Sequence, residues 1–180
     1  MEKIESTFLT GLLLITPILL IRFLLLSYHG KEALDRAAFF PPTKGIERIF
    51  YLINILTTFA LLIVPFFLKI KFHGLLTITG FCLFVLAFAL YTVSTLQFAK
   101  PNGSGLNESG LYSISRNPMY VAFFFYFLAC CMITSSWLLF IILVVFQISM
   151  HFLIISEERW CKKQFGEAYN DYFRKVRRYI

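Results

Sequence analysis

Long apolar runs recur along this chain with short polar links between them, and no other feature restricts its fold as much. The runs extend from about Thr7 to Tyr28, Ile46 to Leu68, Leu75 to Phe98, Met119 to Ile133 and Trp137 to Ser156. A helix that crosses a bilayer needs ~20 mostly apolar residues. Backbone groups in hydrocarbon must find partners within the segment or within a closed barrel. The alternating apolar and polar pattern of barrel strands is missing from these runs. They therefore predict an all-α polytopic membrane protein with five transmembrane helices, forming one domain over residues 1–180 whose first two spans fall in 1–70. Composition agrees. The chain is 58% hydrophobic, carries 22 phenylalanines and has only 15% charged residues, against ~45–50% apolar in soluble domains. Its polar groups are too few to coat a globule in water. The first run is too long for the apolar region of a secretion signal and is read as a span, kinked at Pro17. The link "TSSW" is short enough to force the fifth span antiparallel to the fourth.

The formal charge of +7 does not point to nucleic acid. The basic residues flank apolar segments instead of forming a stripe, which is how topology signals and contacts with anionic lipid look. With five spans, Lys31, Arg36, Lys44, Arg48, Lys100, Arg116 and the basic tail share one side, and Lys3, Lys69 and Lys71 the other. The richer side is expected to be cytoplasmic. The N-terminus then faces out, and the segment around Arg116 meets the tail inside, in a prokaryotic cytoplasmic membrane or in the endoplasmic reticulum. Arg22, within the first span, can snorkel to the nearer interface. Cys82, Cys130, Cys131 and Cys161 have no metal-ligand spacing and read as small buried hydrophobes.

Two polar segments stand out. The stretch "SGLYSISRNPMY", Ser109 to Tyr120, places charge and turn formers at the mouth of the fourth run. The tail "EERWCKKQFGEAYNDYFRKVRRYI" puts Phe165, Tyr169, Tyr172 and Val176 on one helical face, with a bend at Gly166. Such a helix can lie on the inner leaflet or close over a site. Glu157 and Glu158, directly after an apolar run, mark either the membrane exit or a functional centre. His151 is seven residues before Glu158 and shares its face; it reads as a helix-to-helix hydrogen bond or a catalytic group.

Together, "GLYSISRNPMY", an apolar hairpin and "EERWCKKQFGEAYNDYFRKVRR" resemble the isoprenylcysteine carboxyl methyltransferase and phospholipid methyltransferase group of integral membrane enzymes. The likeness covers about Gln97 to Arg178, which makes 97–178 the cofactor-binding and catalytic part. It implies methyl transfer from S-adenosyl-L-methionine to a lipophilic acceptor drawn from the bilayer. It also implies a cofactor pocket on the cytosolic side, closed by the C-terminal amphipathic helix. Carried over by position, Gln97, Tyr112, Asn117, Pro118, Met119, Tyr120 and Glu157 would line that pocket, and Ser104 to Asn107 would match a further contact segment. Arg116, Glu158 and His151 are the candidate catalytic residues. Glutamates suit an ammonium or ribose hydroxyls, Arg116 a carboxylate, and tyrosine rings an adenine or a sulfonium. Prenylcysteine-type members carry His where this chain has Asn117 and Arg where it has Leu153, which shifts weight from a prenylcysteine-like carboxylate toward a lipid amine. Cys161 and Arg177 also replace a usual leucine and proline. Two other readings are a membrane reductase of related architecture using NADPH and a non-enzymatic helical scaffold.

Overall fold

The computed structural model describes residues 2–100 and 105–180, with side chains from residue 6 onward. Ser104 and the side chain of Lys3, both invoked above, lie outside the described residues. Among the described residues the chain forms seven α-helices: α1 (Glu2–Tyr28), α2 (Lys31–Ala38), α3 (Glu47–Ile63), α4 (Leu75–Ala99), α5 (Pro118–Thr134), α6 (Trp137–Phe165) and α7 (Glu167–Lys175). Two 3₁₀ turns, Val64–Phe67 and Gly110–Ser113, complete it. Pro65 explains the first turn: it lacks the N–H that another turn of α3 requires. The helix α2 lies in the polar link between the first two apolar runs. It forms on the short amphipathic stretch KEALDRAA, burying Ala33, and stops before Phe39 and the Pro-Pro pair. The helix α6 runs on past Ser156 to Phe165, because Glu, Arg, Lys and Gln are good helix formers. It ends at Gly166, whose φ of 56° turns the chain into α7.

Four helical stretches are long and apolar enough to cross a membrane: Ser6–Tyr28, Glu47–Phe67, Leu75–Ala99 and Trp137–Phe165. They turn large apolar side chains outward, among them Phe23, Leu56, Phe59, Val85, Ile141 and Ile148, each at least half exposed. A surface so apolar needs hydrocarbon around it, and the protein is an integral membrane protein. The fifth expected span, α5, has 17 residues and is shorter. It is also the interior helix, with no exposed residue along its length. It packs against α4, where a Cβ on Gly80 would come within 3.0 Å of Met132. Tyr126 Oη donates to the Leu14 carbonyl of α1 at 2.6 Å, and Phe123 lies 5.2 Å from Phe146 of α6. On the other flank α3 pairs with α6 through the Phe50–Phe152 stack at 3.8 Å and the buried bond from Asn54 to Ser149.

The basic-rich connections gather at one end of this bundle. Arg22 donates to the Ala37 carbonyl, Arg36 to those of Phe98 and Ala99, and Arg159 pairs with Glu47. The Lys69–Lys71 link lies beside the other end of α5, with Lys71 N–H on the Ile133 carbonyl at 3.0 Å.

Candidate functional site

The segment ahead of α5 is braced from α4. Gln97 Oε1 accepts from the Leu111 N–H at 2.9 Å. Gly110 makes that contact possible: its φ of 63° is costly for other residues, and a Cβ there would run into the Gln97 amide. The next residues pair with the extended chain after α7. Ser115 and Arg177 form a parallel bridge, and Arg116 N–H donates to the Arg177 carbonyl at 2.8 Å. Ser115 Oγ and Asn117 Nδ2 both donate to the Arg178 carbonyl, at 3.3 and 3.0 Å. Pro118 then opens α5 at its first position, where the missing N–H costs nothing.

Side chains lock this pairing. Arg116 donates to Glu158 Oε1 from Nε at 3.1 Å and from Nη2 at 2.8 Å. Its Nη1 reaches the Phe173 and Val176 carbonyls, and the guanidinium lies 4.0 Å from the Phe173 ring centre. Arg178 comes to the same carboxylate from the tail, with Nη2 2.7 Å from Oε2 and Nε 3.0 Å from Oε1. The Arg116 and Glu158 side chains are each only 7% exposed, so one carboxylate balances two guanidiniums almost out of water. About two turns earlier on the same face of α6, His151 Nδ1 lies 2.7 Å from Tyr179 Oη. The tail is thus fastened to α6 at two heights.

Glu157 points elsewhere. Successive helical residues are ~100° apart, and Glu157 follows Phe146, Met150 and Leu153 into the bundle. There Tyr120 Oη donates to its Oε1 at 2.7 Å. Its second oxygen makes no hydrogen bond with the described protein. Tyr112 is buried nearby. Burial, helped by the neighbouring Tyr172, Glu157 and Tyr91, pushes its phenol well above the usual tyrosine range, with Arg36 opposing. The Tyr172 hydroxyl anchors the Tyr112 carbonyl at 2.7 Å. Met119 sulfur accepts from Thr95 at 3.6 Å. One turn along α4, the Tyr91 hydroxyl is buried with no hydrogen-bond partner among the described residues.

The expected site residues therefore fall into two groups. Tyr112, Met119, Tyr120 and Glu157 face the bundle interior, with Gln97 bracing the turn that carries Tyr112. Arg116, Asn117, Glu158 and His151 hold the tail, and Pro118 starts the helix between them. Of the stretch 104–107, Leu106 packs on Tyr169 and Tyr172, and Asn107 Nδ2 reaches the Phe98 carbonyl at 3.5 Å. Arg178, Tyr179, Tyr172 and Tyr91 were missed. Arg178 looked like one more topology-setting charge, and Tyr91 like one more apolar position inside a span. The aromatic face of α7 could have flagged Tyr172, since Tyr169 and Tyr172 are both buried.

A family model described as phospholipid methyltransferase matches residues 53–168. No curated protein and no solved structure matches the chain significantly.

Proposed function

The chain belongs to the phospholipid methyltransferase family, and from that premise we propose that it moves a methyl group from S-adenosyl-L-methionine to a lipid amine at the inner membrane face. As a member of that family it is a membrane methyltransferase; the donor, the acceptor and the residues that serve them are the proposal. The donor set fits an adenosyl sulfonium. Glu157 offers an ammonium or ribose hydroxyls a carboxylate oxygen that is unengaged among the described residues. Tyr112 and Tyr120 offer rings to an adenine or a sulfonium. The buried Tyr91 hydroxyl lacks a partner among the described residues, a deficit that native proteins usually fill with a ligand or water. The observation that carries the reading is the 2.7 Å bond from Tyr120 to Glu157, which joins the motif ahead of α5 to the acidic pair of α6.

When bound, the cofactor supplies a methyl group on a sulfonium, already an excellent leaving group. Transfer to a lipid amine would exchange the sulfur–carbon bond for a nitrogen–carbon bond, the electron pair staying on sulfur, and would release a proton from the nitrogen. The protein is left to align the reactants, exclude water and take that proton. Glu158 is poorly placed for the last task, since it already carries Arg116 and Arg178; both it and Arg116 are assigned to positioning. His151 can take the proton on Nε2 in the tautomer whose Nδ1–H donates to Tyr179 Oη. In this reading α5 completes five crossings with the N-terminus outside, and α7 with the segment after it closes the cofactor site from the cytosol. Calorimetry with S-adenosylhomocysteine and with NADPH tests the donor. Binding of the first alone is expected, and binding of the second alone would mean reduction. Labelled methyl donor with total membrane lipid then identifies the acceptor, and label on a carboxylate ester would overturn the amine.

A further inference from the structure

Arg22 stands inside the apolar helix α1, five residues beyond Pro17, and is half-buried. A guanidinium has five N–H donors. One reaches a protein acceptor, from Nη2 to the Ala37 carbonyl at 3.1 Å. Among the described residues no carboxylate pairs with it, whereas Arg116 and Arg178 share Glu158 and Arg159 has Glu47. Arg22 lies six residues before the end of α1, at the basic-rich end of the bundle, where a guanidinium with donors to spare can meet an anionic group at the interface. Two further observations say what it serves. Tyr120, the group that holds Glu157, packs on the same core as Leu19 and Ile21 of α1, so the turn that carries Arg22 borders the proposed transfer site. On the same helix an apolar groove of about 640 Å³ opens toward lipid, lined by Leu13, Pro17, Leu20, Ile21 and Leu24 of α1 and by Phe88 of α4. An anion-seeking fork above a lipid-facing furrow matches an amphiphile with an anionic head and a hydrocarbon chain.

We propose that Arg22 binds the phosphate of the acceptor phospholipid, with an acyl chain lying in the α1–α4 groove and the amine beyond the phosphate reaching the Tyr120–Glu157 end. The proposal rests on the methyl-transfer reading for the amine's fate, but not for the phosphate contact. The planar fork of arginine suits a phosphodiester, and such charge-assisted bonds are strong. The test compares binding of phosphatidylethanolamine and of diacylglycerol with the same chains to the full protein in a neutral detergent, with S-adenosylhomocysteine binding measured separately. The parent is expected to prefer the phosphate-bearing lipid by about tenfold or more. Arg22→Gln should erase most of that preference while leaving S-adenosylhomocysteine affinity within about twofold. A parent without preference, or a Gln variant that keeps it, overturns the proposal. Inorganic phosphate competing as well as the lipid does would overturn the groove. If Arg22→Gln does not fold, Arg22→Lys decides, because it keeps the charge but loses the fork: the preference should fall about threefold, and an undiminished one overturns the proposal. A preference that depends on Arg22 in a protein that binds no S-adenosylhomocysteine would leave the phosphate site standing and defeat the methyl-transfer reading alone.

Discussion

Replacing Glu158 by Gln leaves two guanidiniums facing each other across a neutral amide. Arg116 is the costlier of the two, because its side chain is 7% exposed and loses its only carboxylate. It keeps the Phe173 and Val176 carbonyls and the Phe173 ring. Breaking a buried pair from one side costs about 3–5 kcal/mol. Arg178, at 29% side-chain exposure, can turn to water, so Arg178→Gln should cost only about 1–2 kcal/mol, the lower range for hydrogen bonds to charged groups. These energies fall on the docking of the tail, since both arginines join it to the rest. At about 1.4 kcal/mol per tenfold, the undocked tail becomes about 100- to 3,000-fold more populated in Glu158→Gln and about 5- to 30-fold in Arg178→Gln. Trypsin reads this directly, because Lys175, Arg177 and Arg178 lie in the segment released. When opening is fast relative to cleavage, the rate follows the open population. Tail cleavage of Glu158→Gln at the parent rate, in otherwise folded protein, would refute the assignment of Glu158 to holding the tail.

Glu157→Gln should weaken S-adenosylhomocysteine binding by tenfold or more while tail cleavage stays at the parent rate; unchanged affinity would remove Glu157 from the cofactor site. Gly110→Ala sets a Cβ against the Gln97 amide at a φ of 63° and should cost about 1–3 kcal/mol, a drop of several degrees in thermal melting; an unchanged melting temperature would mean that the turn yields freely. Burial raises the Tyr112, Tyr169 and Tyr172 phenols above their ordinary value of 10.0. Folding favours their protonated forms, so their contribution is intact below pH 10 and is lost as pH climbs through the raised values. Ultraviolet titration should show phenols ionising late and together with loss of tail protection, and phenols all titrating like free tyrosine would contradict their burial.

The spans were legible because hydrocarbon allows so few backbone solutions that run length alone nearly suffices. The same logic overlooked α2, whose eight residues sit in a polar link where length carries no signal. It also stopped the last long helix at Ser156, because the change from apolar to charged residues marks a change of solvent and not of backbone; the helix continues to Phe165. At the site, residue types and order pointed to two segments that the structure brings together. Side-chain direction did not follow, because it depends on which neighbour arrives. Asn117, expected as a ligand-facing amide, donates its Nδ2 to the Arg178 carbonyl. Arg178 could not be told from its basic neighbours, since a charge near a membrane end satisfies the topology rule whatever it touches. Tyr91 was hidden for the opposite reason: a phenol inside a span counts as apolar until its hydroxyl is found without a partner.

The adjacent glutamates show how much one residue of helical rotation decides. Both leave the same turn of α6, yet ~100° separates their directions. Glu158 turns to the outer flank, meets two arginines and becomes a fixed anion that fastens the end of the chain. Glu157 turns inward, meets a phenol and keeps an oxygen unengaged. Their proximity makes the division necessary. Two unpaired carboxylates on one turn would repel each other. Arg116 and Arg178 offset the charge of Glu158 while seating the tail on α6. The contacts that fasten the tail therefore also set the electrostatics of the inward-facing carboxylate.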